Sequence, residues 1–499
     1  MSAVNVSAEG LAGVNSRRLF WGSCLSLIST SVAFGVITSM MGAFKSEFTL
    51  NNTEAGLIGG AAIWGFTISI FVFGPLVDLI GMKRLLNFAF IGHLVGPIVM
   101  IFANGFGMLF VGALLISMAN GTVEAVCNPL VATIYPAQKT QKLNQFHVWF
   151  PGGIVIGGLL AYVIDNALPT GIGPLGTWQI KLVLIFIPTV IYGLIFLGQK
   201  FPATERVQSG LSFGDMVKAC VRPLFIILFL CMGLTASLEL GPGRWMGEVM
   251  NEAMAFAGAG AGILVLAYGN GLMAVLRYFA GHAIERFSPT GMLVISAVLA
   301  GIGLLALSFA TNVIMVVVCA TVFYVGVCYF WPTMLGVAAE RVPRGGALAM
   351  ALLGGWGMAA VGLITTPLMG NVADHYGHKT FEVAVVQNTL DQGVDALRNA
   401  DAPQDITQKV DQTLATVAAT NTLPMGDTAD ALRDIAKYAP QEAPAAVQAT
   451  TELKKADDFG GKMSFRWVSS LSIILIVVFG ALYLKDKAAG GYKAEQISG

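Results

Sequence analysis

The sequence predicts an all-α membrane protein: twelve spanning helices in two pseudo-symmetric six-helix bundles, with a polar insertion before the last helix. Three observations predict it. The 499 residues are 55% hydrophobic and only 12% charged, against about 25% charged in soluble domains. The apolar residues gather in long runs, and a bilayer-spanning helix needs about 20 of them. One polar stretch, 375–464, interrupts the series just before the final run. This composition excludes a cytosolic enzyme, a nucleic-acid binder and a disordered scaffold for the chain as a whole. Lys+Arg and Asp+Glu balance at 29 each, so the distribution of charge carries the information and its sum does not.

The expected spans are 19–43, 56–79, 85–104, 107–135, 144–166, 178–199, 219–249, 257–284, 289–310, 312–338, 346–373 and 466–484. They divide the chain into an N-terminal tail (1–18), a first bundle (19–199), a linker (200–218), helices seven to eleven (219–374), the insertion (375–464), helix twelve (465–485) and a second tail (486–499). The first apolar run is long enough to be a retained helix, not a cleaved signal. Basic residues such as Arg17, Arg18, Lys139, Lys142, Arg341, Lys485 and Lys487 fall on one face of this arrangement; the short loops of the other hold little beyond Lys45 and Arg244. The positive-inside rule then puts both termini in the cytoplasm of a multi-pass plasma (inner) membrane protein. The insertion becomes extracytoplasmic. Stretches such as VVQNTLDQGVDALRNA have helical spacing and predict a small, partly helical unit, with a flexible loop as the alternative. The six cysteines lack any C-x-x-C pairing and read as packing residues.

The two halves echo one another. After span two stands Gly74-Pro-Leu-Val-Asp78, followed by Lys83 and Arg84; after span eight stand Gly281, Glu285 and Arg286. In each, a glycine that permits close helix approach precedes a carboxylate by four residues, and bases follow. Asp78, Lys83, Arg84, Glu285 and Arg286 are therefore candidates for contacts that break as the halves rock; solvated turns are the plainer alternative. Interruptions are expected at Asn128-Pro129 in span four, at Trp331-Pro332 in span ten and at Gly241-Pro242-Gly243 in span seven. Paired prolines in equivalent helices point to a midplane binding site.

Buried polar residues sharpen this. A charge at the bilayer centre costs about 2.5–3.5 kcal/mol even on lenient scales. Glu124 sits in LLISMANGTVEAVCNPLVATIY with no base in its own span. Burial favours the neutral acid, which suits a group that is protonated in one access state and ionised in another. A structural ion pair with another helix is the alternative. Glu239, Asn128, Asn270 and His147 are candidate substrate contacts. Trp149, Trp331 and Trp356 offer flat faces suited to a sugar ring, though membrane aromatics more often pack or anchor the interface. Lys181 is expected to snorkel to the outer interface; His93 and His282 read as structural.

These segments resemble the major facilitator superfamily, and within it the fucose/glucose/galactose:proton symporter branch. The carrying stretches are FTLNNTEAGLI (48–58), the Gly74–Arg84 loop, VEAVCNPLVATIYP with LNQFHVWFPGG, LRYFAGHAIERFSP, WPTMLG and TTPLMGNVAD. The resemblance implies the major facilitator fold and a role for Glu124 in proton coupling and sugar recognition; Asn128 falls on the asparagine of the branch's Asn-Pro, and His147 lies where the branch has a sugar-contacting glutamine. Arg277 joins the candidate gating residues. The branch's first-helix aspartate falls on Thr38 and a downstream asparagine on Phe150. Both departures bear on sugar identity and stoichiometry.

The expected function is a secondary active transporter, moving a hexose or deoxyhexose inward on the proton gradient, with no prosthetic cofactor, no nucleic acid, and a monomer in the bilayer. The alternatives are Na⁺-coupled or uncoupled movement of a non-sugar solute, or a sensor that binds without transport. No nucleophile–base or metal set argues for an enzyme.

Overall fold

The structure, a computed structural model, describes residues 11–48, 50, 52–250, 253–254 and 263–495. The side chains of Thr38, Lys45 and Arg244 lie outside the described residues. The first half comprises α1 (Ser16–Ser39), the short α2 (Met41–Glu47), α3 (Asn52–Ile80), α4 (Met82–Ile101), α5 (Phe106–Ile134), α6 (Lys139–Phe146), α7 (Trp149–Ala167) and α8 (Thr177–Phe196). The linker carries α9 (Glu205–Gln208) and α10 (Phe213–Cys220). The second half runs through α11 (Pro223–Val249), α12 (Ile263–Tyr278), α13 (Ala280–Leu307), α14 (Val313–Val327), α15 (Phe330–Arg341), α16 (Gly346–Ala359) and α17 (Thr366–His378). The insertion contributes α18 (Val383–Asn399), α19 (Gln404–Thr420), α20 (Asp427–Tyr438) and α21 (Pro444–Ser469), and α22 (Leu471–Ala488) closes the fold.

Eleven segments among the described residues are long and apolar enough to cross a membrane. The eighth expected span is represented by α12, because residues 255–262 lie outside those described. Large apolar side chains such as Leu79, Leu159, Leu194, Ile302, Ile314 and Val477 are exposed around the bundle, as lipid requires and water does not tolerate over so wide a surface. The chain is a multi-pass membrane protein of twelve-helix layout.

The repeat is visible in the backbone. Gly81 (φ 91°) lies three residues beyond Asp78, and Ser288 (φ 61°) lies three beyond Glu285; both turn the chain through the left-handed region. The two echo glycines face across the halves. Gly74 of α3 lies against Ala351 of α16, with no room for a Cβ, and Gly281 of α13 lies against the Gln141 amide of α6, which a Cβ there would have to displace.

The expected interruptions are corrected in part. Helices α5 and α11 run unbroken through Pro129 and Pro242; one missing bond does not break a helix held by its neighbours. The tenth span does break, at Cys328–Tyr329, which puts Pro332 in the first turn of α15, where a missing donor costs least. A second break, at His147–Val148 with Pro151 just beyond, separates α6 from α7. Between α16 and α17 lies a π-helical segment, Ala360–Thr365, a feature often found at functional sites.

The insertion is a helical unit with its own core, built from Val386, Leu390, Leu397, Val410, Val417, Leu432 and Ile435. It is docked on α17: Gly377 lies against the backbone of Ala456, and Gly460 against that of Ala373. The expected boundary at 464 falls inside α21, which continues to Ser469 at the head of the last span.

Candidate functional site

Between the halves, α5, the α6–α7 junction, α11, α12 and the α14–α15 junction bring together Glu124, Asn128, His147, Glu239, Arg277 and Cys328. Residues i and i+4 share a helix face, and on α5 these are Glu124 and Asn128. Asn128 Nδ2 donates to Glu124 Oε2 at 2.6 Å and to the Glu124 carbonyl at 2.9 Å. Both amide hydrogens are then used, so Asn128 Oδ1 accepts from His147 Nε2 at 3.0 Å. This bond assigns the ring proton to Nε2 and a lone pair to Nδ1. That lone pair faces Glu124 Oε1 at 3.8 Å.

Arg277 ties this group to the second half. Its Nη2 donates to Glu239 Oε1 at 2.8 Å, its Nη1 to the His147 carbonyl at 3.1 Å and its Nε to the Cys328 carbonyl at 2.6 Å. The two carbonyls have a common origin. Proline lacks the N–H that would reach the carbonyl four residues back; Pro151 therefore releases His147 and Pro332 releases Cys328. One guanidinium takes both. All five ionisable or amide side chains are buried, with Arg277 and His147 each 2% exposed. Glu239 Oε2 is buried with no hydrogen-bond partner among the described residues, as is Trp356 Nε1. The Trp356 ring stacks on Phe229 at 5.2 Å.

Other expected residues stand apart. Asn270 lies two turns before Arg277 on the same face of α12, and its amide donates to its own helix at Leu266. Trp331 packs against Gly354 and Gly357 of α16. Trp149 is turned towards α1: its ring lies 6.1 Å from Trp21 and its carbonyl accepts from Ser31. Lys181 does not snorkel; it is buried and paired with Asp165 at 2.6 Å, because a local carboxylate satisfies it before the interface is reached. His93 is held between Tyr192 and Asn120 at 3.0 and 2.8 Å.

At the face that carries the chain termini, Asp78 pairs with Arg206 at 2.6 Å and accepts from Thr204. Its partners are thus linker residues, while Lys83 donates to the Gln199 carbonyl and Arg84 to that of Ile80. In the second half Arg286 stacks on Phe287 at 5.6 Å, and neither Glu285 nor Arg286 makes an ion pair among the described residues. The contacts that join the halves here come from residues that sequence reasoning missed. Thr140 donates through N and Oγ1 to Glu340 Oε1 at 3.0 and 2.7 Å. Asn144 donates to Thr333 at 3.2 Å, and Lys139 reaches both Glu205 and the Ala339 carbonyl. Thr140 and Glu340 are 200 residues apart, and no local pattern announces their meeting. A second missed pair, Ser237 and Thr365 at 2.5 Å, ties α11 to the π segment. Among the described residues no group of three metal-ligating side chains converges.

The buried charged set thus lies between two bundles of membrane-spanning helices. The model of the Major Facilitator Superfamily matches residues 19–246. A probable sugar efflux transporter of Haemophilus influenzae is 23% identical over 370 residues, 73% of this chain and 87% of that protein. A glucose transporter of Staphylococcus epidermidis, GlcP, is 25% identical over 165 residues, 33% of this chain and 35% of its own. The solved structure of the transporter FucP in its outward conformation superposes with a TM-score of 0.61 at 20% identity, covering 72% of this chain and 92% of that one; the E. coli FucP is named a fucose:proton symporter. The chain is thus similar to the Major Facilitator Superfamily across its first half and the linker, and to FucP in fold.

Proposed function

We propose that the protein is a proton-coupled sugar transporter working by alternating access, with its terminal face cytoplasmic in the inner membrane. The carrying observation is the continuous chain from Glu124 through Asn128 and His147 to Arg277 and Glu239. Two carboxylates face one guanidinium, so one added proton brings the set to neutrality. Isolated charge in a low-dielectric interior is costly, which couples that proton to the states in which the cluster is closed from water. The proton has a natural seat. A protonated Glu124 Oε1 points its hydrogen at the His147 Nδ1 lone pair, and a closure of about 1 Å would bring the 3.8 Å gap within hydrogen-bond range.

His147 is also the residue whose carbonyl holds Arg277. A shift of its ring on proton transfer therefore acts on the second half through its own backbone. Unused capacity at Glu239 Oε2 and Trp356 Nε1 supports recognition of solute hydroxyls near this cluster, and the names of the curated relatives support a sugar as the solute. The Haemophilus relative favours a second direction: proton-driven efflux by exchange, using the same residues.

Proteoliposome assays separate these readings. Uptake of labelled hexoses and deoxyhexoses is measured under imposed pH gradients of either sign and under a Na⁺ gradient. Accumulation when outside is acid supports symport, accumulation when inside is acid supports exchange, and a response to Na⁺ alone or to no hexose overturns the proposal.

A further inference from the structure

Beyond the last spanning helix the chain does not trail away. Gly490 and Gly491 adopt positive φ (86° and 105°) and turn it back over the end of α15. The turn is fixed by Gly491 N–H donating to the Asp486 carbonyl at 2.9 Å. Tyr492 and Glu495 then dock the tail at several points. Tyr492 OH donates to Glu340 Oε2 at 2.7 Å, and the Arg341 guanidinium lies over the Tyr492 ring at 4.4 Å. Glu495 N–H donates to the Glu340 carbonyl at 2.7 Å, and the Glu495 carboxylate takes Arg222 at 2.9 and 3.3 Å. Arg341 is itself held by Asp486 at 2.5 Å, which also accepts from Thr290.

The shared partner decides what this means. Glu340 gives one oxygen to the tail and the other to Thr140 of the opposite half. Nothing in the tail reaches the first half directly among the hydrogen bonds and ion pairs described. It acts only on the residue that does. A carboxylate at an exposed helix end spends most of its time in water and rotates freely; fixing it in one rotamer removes that entropy from the act of closing. Tyr492 covers Glu340, anchors Oε2 and leaves Oε1 aimed at the Thr140 N–H and hydroxyl. A hydrogen bond to a charged acceptor is among the stronger ones available.

We propose that the segment Gly490–Glu495 is a built-in buttress for the gate at the terminal face, and that Glu340 is the gating carboxylate it positions. When the halves part at this face, Glu340 loses Thr140 but keeps Tyr492, so the gate stays preset for closure. Removing Tyr492 shifts the equilibrium towards the state open at that face, whatever solute or ion the protein carries. This inference rests on alternating access and not on the identity of substrate or proton.

The test is a distance measurement on the full chain. Spin labels are placed at Gln138→Cys and Arg286→Cys, exposed on the terminal face in opposite halves, in a Cys319→Ser background that leaves only buried cysteines. Double electron–electron resonance in nanodiscs then gives the ratio of open to closed pairs without added solute. Tyr492→Ala is expected to raise that ratio about threefold to tenfold, the range that a single net hydrogen bond produces. Tyr492→Phe, which keeps the ring over Arg341, gives a smaller rise, and Lys493→Ala gives none. An unchanged ratio in a folded Tyr492→Ala protein overturns the proposal. So does an equal shift in Lys493→Ala, because the tail would then act without Glu340. Thermal unfolding of each variant separates a gate effect from loss of fold.

Discussion

Arg277 donates to the carbonyl of Cys328, the carbonyl that Pro332 leaves without its helical donor. The same guanidinium fills the equivalent vacancy at His147, opened by Pro151. Two helix breaks and one buried cation are therefore a single arrangement, which joins α6–α7 of the first half to α12 and α14–α15 of the second. The cation is satisfied by two backbone carbonyls and one carboxylate, which is how a charge this deep is tolerated.

Replacing Arg277 should expose that dependence. Arg277→Met leaves the Glu239 charge unpaired, the Cys328 carbonyl without its Arg277 donor and the His147 carbonyl with only the long bond from Phe150 N–H at 3.4 Å, and the loss of one partner of a buried pair costs about 3–5 kcal/mol. Thermal unfolding in detergent is expected to fall steeply. The double variant Arg277→Met/Glu239→Gln, which removes the stranded charge, is expected to recover a large part of the stability and none of the transport.

Pro332→Ala tests the origin of the vacancy. Alanine restores an N–H that can reach the Cys328 carbonyl and so competes with Arg277 Nε. Stability should change little, within about 1 kcal/mol, while maximal transport falls and the half-saturating solute concentration moves less. An unaltered transport rate would mean that the Arg277–Cys328 bond has no part in the cycle.

Asn128→Ala should uncouple Glu124 from His147. It removes the only hydrogen bonds described for the Glu124 carboxylate and for the His147 ring, leaving buried groups whose desolvation costs about 1–3 kcal/mol. Solute-stimulated proton movement, read with a pH dye in liposomes, is expected to drop more than solute exchange does.

Gly336→Val should act at the terminal face. Gly336 lies against Thr140 across the halves with no space for a Cβ, so a branched side chain keeps the halves apart there. A cysteine at Gln141 is expected to react several-fold faster with an impermeant maleimide added from that face. Gly152→Ala, whose added Cβ meets only ordinary contact, serves as the control and should change nothing.

The sequence made some of this legible. Glu124 and Asn128 are four apart in one apolar run, so helical periodicity alone puts them together, and the echo of Gly74–Asp78 in Gly281–Glu285 carries the repeat through to matching left-handed turns at Gly81 and Ser288. Other features are hidden for physical reasons. The Arg277 ties are made to backbone carbonyls, whose availability depends on where a helix breaks; Pro129 and Pro242 do not break theirs, while Pro332 does. Pro151 carries the signal for the other break, but a proline near a helix start looks the same whether or not the chain turns there. Trp149 looks suited to a solute face because it adjoins His147 in sequence, yet the break at His147–Val148 turns it to Trp21. Contacts such as Thr140–Glu340 join residues whose only relation is the docking of two bundles, and the Asp78 partner comes from the linker instead of from the adjoining bases.

The most direct test concerns the carboxyl group of Glu124. In proteoliposomes, Glu124→Gln keeps the Asn128 geometry but fixes the site in a proton-filled-like, neutral form. Solute counterflow, which needs binding and reorientation but no net proton movement, should persist, while accumulation driven by an imposed pH gradient should disappear. Gradient-driven accumulation of unchanged size in Glu124→Gln would contradict the account, since the coupling proton would then have to reside elsewhere.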